Sequence, residues 1–280
     1  MAITINTNIA SLIVQKNLQD ATNGMNSAIE RMTTGLKINK ASDDAAGMAV
    51  ATRMESKLSS AAVANSNAQI GSSMLTTAEG NLDLISEHLQ RVRDLTEQAA
   101  NGTYGTDAMI AIKTEVASRL DEIDRLVGNA EFNGKKLLDG TTSSINLQVG
   151  TGSTANDYIT IEGIFESATS ASLVGVDGAG SAAKYADDSS ARGFLTEIDK
   201  AIDKVTERKT KIGAYQNRVS SAVDALEVQV ENLTSSVSTI KDADIATESS
   251  NYIKNQILQQ AAASLLTTAN QTPSIALNLV

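Results

Sequence analysis

The feature that most constrains this chain is a heptad spacing of apolar residues, in alternating steps of three and four, that recurs in four runs. The clearest passes through Leu195, Ile198, Ile202, Val205, Ile212, Val219, Val223, Leu226, Val230, Leu233, Val237 and Ile240, interrupted only at Lys209 and Gln216. At 1.5 Å per residue such a helix is roughly 70 Å long. A second long helix is predicted from Ala45, capped by Ser42 or Asp43, with a seam through Met54, Leu58, Ala61, Asn65, Ala68, Ser72, Leu75, Ala78, Leu82, Ile85, Leu89 and Val92. The small members at 61 to 72 leave room for a neighbouring backbone. Gly71 and Gly80 weaken that helix by up to about 1 kcal/mol each. After a turn at Asn101 to Thr106, a shorter helix presents Met109, Ile112, Val116, Leu120, Ile123 and Val127 on one face.

Composition agrees with helix-on-helix packing. Apolar types make up 41% of the residues but aromatic ones only 3%, so any core is filled by Ala, Leu, Ile, Val and Met. A single proline, Pro273, leaves long stretches without a helix breaker. The expected class is therefore mainly α, a long coiled-coil rod formed by the two halves of the chain. Between 136 and 190 the period changes: Ile145, Leu147 and Val149, then Ile159 and Ile161, alternate with polar residues around a turn-rich Gly150 to Asp157, which predicts a β-hairpin near 144 to 162. From Gly163 to Ala191 the chain is rich in Ser, Ala and Gly and reads as a short surface tip.

Several function classes are disfavoured. A net charge of -10 argues against nucleic acid. No window reaches the roughly 18 apolar residues of a membrane span, and the first residues lack the pattern of a cleaved signal. With no Cys and His88 as the sole histidine, no thiolate site, two-His zinc site or HExxH helix is available. Paired carboxylates such as Asp43-Asp44 and Asp121-Glu122 read as caps or solvated faces. No catalytic residue, cofactor or metal is expected, and the chain is not read as an enzyme.

The two ends carry the functional clue. Leu18, Ala21, Met25, Ala28 and Met32 hold a heptad phase near the start, and Ile253, Ile257, Ala261, Leu265 and Ala269 mark a comparable stripe near the end. From Ser249 to Val280 the only charged side chain is Lys254. A solvated helix of that length ordinarily bears charges on its outer face. This end is too polar for a membrane and too uncharged for open water, which predicts a surface covered by copies of the same chain. Both ends are expected to be mobile alone and ordered in the polymer, through head-to-tail contacts that build an open helix. Leu18, Met25, Met32, Ile253, Ile257 and Leu265 are the candidate assembly residues.

Five ordered segments resemble flagellins closely: TTGLKINKASDDAAGMAVA (Thr33 to Ala51), LQRVRDLTEQAANG (Leu89 to Gly102), EFNGKKLLDG (Glu131 to Gly140), IGAYQNR (Ile212 to Arg218) and DADIATESSNYIKNQILQQA (Asp242 to Ala261). The resemblance implies an inner coiled-coil domain of 1 to 44 with 242 to 280, a rod domain of 45 to 241, and a minimal form with only the 163 to 191 tip where larger relatives insert outer domains. It further implies a structural subunit of an extracellular flagellar filament for swimming, exported by the flagellar secretion apparatus without a cleaved signal. Implied partners are further subunits, cap and junction proteins, an export chaperone and Toll-like receptor 5, the last through Arg91, Leu95 and Glu115. The alternatives are a hook-filament junction protein or a secreted helical adhesin.

Overall fold

The computed structural model describes residues 7–277, with side chains described as far as residue 271. The chain is mainly α. Its long helices are α1 (Ile9–Thr34), α2 (Ala45–Ala99), α3 (Thr106–Asn129), α5 (Asp188–Lys241) and α6 (Ile245–Leu277), with a short α4 (Ser170–Val174). Two antiparallel two-stranded sheets lie between α3 and α4: β1 (Glu131–Phe132) with β2 (Lys135–Lys136), and β3 (Ser144–Gln148) with β4 (Tyr158–Glu162). Two compact units result, Met1–Leu58 with Glu231–Val280, and Ser59–Val230.

Helix ends follow from capping chemistry. Asn8 accepts the Ser11 amide at 3.1 Å, and α1 stops at Gly35, whose φ of 71° is accessible to glycine without strain. Its N–H returns to the Arg31 carbonyl at 2.9 Å. The start of α2 differs from expectation. Asp44 is the cap, accepting the amides of Ala46 and Gly47 at 3.0 and 2.9 Å. Asp43 turns back to the amides of Lys40 and Asn39, and these bonds hold its carboxyl below the usual carboxylate range. One residue of slip decides which carboxylate faces the free amides, and composition alone does not resolve it.

The core of the second unit is continuous. Leu75, Leu82, Ile85, Leu89 and Val92 of α2 meet Val116, Leu120, Ile123 and Val127 of α3 and Ile198, Val205 and Ile212 of α5, all nearly without solvent exposure. Each such side chain contributes about 1.5–3 kcal/mol by leaving water. The break in the α5 seam is one residue from its expected place. Arg208 is buried there, donating to the carbonyls of Glu166 and Ser167 at 2.9 and 3.1 Å. Lys209 instead pairs at the surface with Asp83, while Gln216 donates to Glu79 of α2 at 2.8 Å.

The predicted hairpin is present, with Leu147 opposite Ile159 and Ile145 opposite Ile161. Leu147 packs against Gly71, and a Cβ added at that glycine would collide with the leucine side chain. Thus Gly71 of α2 admits the hairpin. At the other end of β4, Tyr215 of α5 clasps Glu162, receiving its amide and donating to its carbonyl, both at 3.2 Å. The connecting turn closes on Asp157, whose carboxylate takes the amides of Gly152 and Thr154 and the Thr154 hydroxyl at 3.0, 2.9 and 2.6 Å. The smaller β1–β2 hairpin turns through Asn133 and Gly134, both at positive φ, 49° and 76°. Asn-Gly is a residue pair that supports this consecutive left-handed geometry.

The segment after Gly163 is not a surface excursion. Ile164, Phe165, Leu173, Val174 and Tyr185 are buried in the same core. Asp124 of α3 takes the Ser170 amide and hydroxyl at 2.6 and 2.7 Å, fixing α4. Tyr185 meets Phe194 edge-on, with centroids 5.7 Å apart, and bonds Thr96 at 2.6 Å. Because the Thr96 hydroxyl already donates to the Val92 carbonyl, the tyrosine is the donor, and burial pushes its pKa up to about 12.

Candidate assembly surface

In the first unit α1 and α6 lie antiparallel, and the face they share is small and polar. Its buried residues are Ala21, Ala28, Ala262 and Glu248. Asn8 donates to the Ala269 carbonyl at 2.8 Å and Ser11 to Asn270 at 2.8 Å. Gln259 donates to Thr22 at 3.1 Å, and Arg31 bonds Glu248 at 3.2 Å. Gly24 gives Asn255 room, since a Cβ there would lie 2.7 Å from its amide nitrogen. Strand-like contacts tie the adjacent loop to the end of α5: Lys37 donates to the Lys241 carbonyl at 2.7 Å and Ala243 to the Gly35 carbonyl at 2.9 Å.

This contact leaves the large apolar side chains of the pair outside. On α1, Leu18, Met25 and Met32 are half-buried, while Ile9, Leu12 and Ile13 are exposed. On α6, Ile253, Ile257 and Leu265 are 53%, 59% and 58% exposed, with Leu258 beside them. The candidate residues therefore sit differently: the α1 set flanks the shared face, Ile253 and Ile257 lie on the open side of α6, and Leu265 lies at the groove between the helices. A groove of about 410 Å³ separates the helices between Val14, Ala21, Leu258, Ala262 and Leu265. Periodicity located the α6 stripe, but it could not say that Asn255, Gln259 and Ala262 would take the inner face instead.

The other candidate residues belong to the second unit. Arg91 bonds Glu115 at 3.1 Å, and Arg119 approaches the same carboxylate at 3.5 Å. Leu95 is 3% exposed and belongs to the core, so it offers a partner almost no side-chain surface. His88 sits beside Arg119 at 3.5 Å in a shallow groove with Glu115 and Glu122. Among the described residues, no group of three or more His, Asp or Glu side chains is placed to hold a metal, and no helix is long and apolar enough to cross a membrane.

Known proteins share this layout. The family described as the bacterial flagellin N-terminal helical region matches residues 5–143, and the bacterial flagellin C-terminal helical region matches 195–280. Flagellin of Bacillus subtilis (strain 168) is 36% identical over 304 aligned positions that cover 99% of each chain. The flagellar filament 33 kDa core protein of Treponema phagedenis is 34% identical over 288, again covering 99% of each. A solved Vibrio parahaemolyticus structure, described as that of a flagellar hook-associated protein, superposes with a TM-score of 0.60. It covers 71% of this chain and 100% of its own at 19% identity, a likeness of fold alone. Similar along its whole length to filament proteins, and matched by both helical regions that define the family, this chain belongs to the bacterial flagellins.

Proposed function

We propose that the open apolar faces of α1 and α6 are the surface through which this chain, a structural subunit of the bacterial flagellar filament, binds further copies of itself. The observation that carries the assignment is the exposure of Ile253, Ile257, Leu258 and Leu265 on a helix whose only charged residue beyond Ser249 is Lys254. Covering those side chains recovers up to about 1.5–3 kcal/mol each, while the small, polar α1–α6 contact contributes little. In this reading 1 to 44 with 242 to 280 form the inner layer of the filament and 45 to 241 the layer outside it. The chain has no catalytic role. Cap and junction proteins would meet the same faces at the filament ends, an export chaperone would cover α6 before secretion, and Toll-like receptor 5 would contact Arg91 and Glu115, with Leu95 supporting that patch from within. Receptor signalling driven by Arg91→Ala at wild-type strength would remove the last of these.

The assembly reading is tested by sedimentation and electron microscopy of the full chain beside Ile257→Glu and Leu265→Glu. Wild type pellets as long helical polymers; both variants stay in the supernatant with unchanged melting of the monomer. Variants that pellet like wild type would overturn it, and short caps or rings in place of filaments would favour a junction adaptor.

A further inference from the structure

Asn-Gly occurs three times in this chain, at Asn23-Gly24, Asn101-Gly102 and Asn133-Gly134, and the fold gives each pair a different backbone setting. Glycine has no Cβ to shield its nitrogen, so that nitrogen can approach the carboxamide carbon of the preceding asparagine and close a succinimide ring. Closure requires an exposed side chain, an amide not committed to another acceptor and a backbone free to turn.

Two of the pairs fail these requirements. Gly24 lies in the interior of α1, where each amide donates to the carbonyl four residues back and the backbone is locked. The Asn23 side chain also takes the Gln19 amide at 3.1 Å. Asn133 and Gly134 form the turn of the β1–β2 hairpin, both at positive φ, between the paired residues Phe132 and Lys135. Lys136 clamps the same hairpin, donating to the Gly128 carbonyl at 2.6 Å and to Glu131 at 2.8 Å. Turning that peptide toward ring closure breaks the strand pairing first.

Asn101-Gly102 meets all three requirements. Residues 101–106 are exposed, and the pair stands in the link between α2 and α3 with no strand on either side. Its flanking amides are engaged, Asn101 to the Gln98 carbonyl at 3.1 Å and Tyr104 to the Asn101 carbonyl at 3.4 Å, but among the described residues the Gly102 amide has no acceptor. Asn101 Oδ1 accepts the Thr103 amide at 3.3 Å, which folds the carboxamide back over the Gly102 peptide. The same donor polarises the carboxamide carbonyl toward attack, because it sits where negative charge develops. The fold does not itself demand this glycine: its φ is outside the left-handed region, and an added Cβ would meet nothing closer than Asp188 Oδ2 at 3.9 Å.

We propose that Asn101 is a site of spontaneous deamidation, selected by the fold over Asn23 and Asn133. The Gly102 nitrogen bonds to Asn101 Cγ and yields its proton to water; the Cγ–Nδ2 bond breaks, and Nδ2 takes a proton from water and leaves as ammonia. A second water opens the succinimide without any redox change. Cleavage between the Gly102 nitrogen and the Asn101 main-chain carbonyl carbon leaves isoaspartate, and cleavage at Cγ leaves aspartate. Either product adds one negative charge to a chain of net charge -10, in a groove already lined by Lys113, Asp187 and Asp188. The modification needs no polymer and is independent of the filament reading.

The test is to hold the purified full chain at neutral pH and follow its peptides by mass spectrometry that separates asparaginyl, aspartyl and isoaspartyl forms. Asn101 is expected to convert at least tenfold faster than Asn23 and Asn133, with isoaspartate exceeding aspartate and an acidic shift of the intact chain on isoelectric focusing. In guanidinium chloride that unfolds the chain, the three rates are expected to converge to within threefold. Gly102→Ala is expected to slow conversion of Asn101 at least tenfold with unchanged melting. Comparable rates at the three sites in the folded chain would overturn the inference. So would selectivity that survives unfolding, which would assign it to neighbouring side chains, or conversion of Gly102→Ala at the wild-type rate.

Discussion

The two units use the same secondary structure to opposite ends. In Ser59–Val230 the helices turn Leu, Ile and Val inward, and α2, α3 and α5 close over the hairpin and the 163 to 191 segment. In the terminal unit, α1 and α6 turn Ala, Asn and Gln toward each other and leave Ile and Leu outside. A helix pair that buries its small residues and exposes its large ones is weakly stabilised alone, because dispersion and apolar burial scale with the area covered. Amphipathicity in the second unit, Ser59–Val230, builds a fold; in the terminal unit it builds a surface for something else to cover.

The largest effect separates the units directly. Leu120→Ala in the core of the second unit is expected to cost the monomer about 2–5 kcal/mol in thermal or denaturant unfolding, whereas Leu265→Ala on α6 changes it by no more than about 0.5 kcal/mol. Comparable losses would erase the distinction. A smaller effect sharpens it. Gly71→Ala forces its new methyl into Leu147, an overpacking that costs about 1–3 kcal/mol despite the better helix propensity of alanine. Pairing it with Leu147→Ala should relieve that clash, visible as a positive coupling in a double-mutant cycle. The smallest effect is one the units share. Asp43 in the first unit and Asp157 in the second are both held below the ordinary carboxylate range, Asp43 by backbone amides and Asp157 first by the Thr154 hydroxyl. A depressed native pKa stabilises the folded state above the normal aspartate value near about 3.9 and loses that contribution as pH falls through the lower native one. Melting should therefore soften below about pH 4, and Asp157→Asn should reduce that slope in the second unit only.

How far the sequence spoke for the structure depends on whether a residue acts through a period. The long helices and the β3–β4 hairpin repeat their signal over many residues, so Val116, Leu120 and Ile123, or Leu147 and Ile159, were legible. Phe165, Leu173, Val174 and Tyr185 were not, because they occur alone or as adjacent pairs, with no period, and are buried by tertiary packing alone. The β1–β2 turn carried a usable signal in Asn133-Gly134, but its strands are two residues long and show no alternation. On α6 the apolar stripe was legible and its direction was not, since both faces of that helix lack charge and the choice of inner face depends on how closely α1 approaches at Gly24 and Ala28.

Amide hydrogen exchange on monomer and filament tests the central contrast most directly. The account predicts that amides of residues 253 to 265 in α6 exchange within the first turn-over of a monomer experiment and slow by orders of magnitude in the filament, while those around Leu120 in α3 are slow in both. Protection of α6 in the monomer equal to that of α3, with no gain on polymerisation, would contradict it.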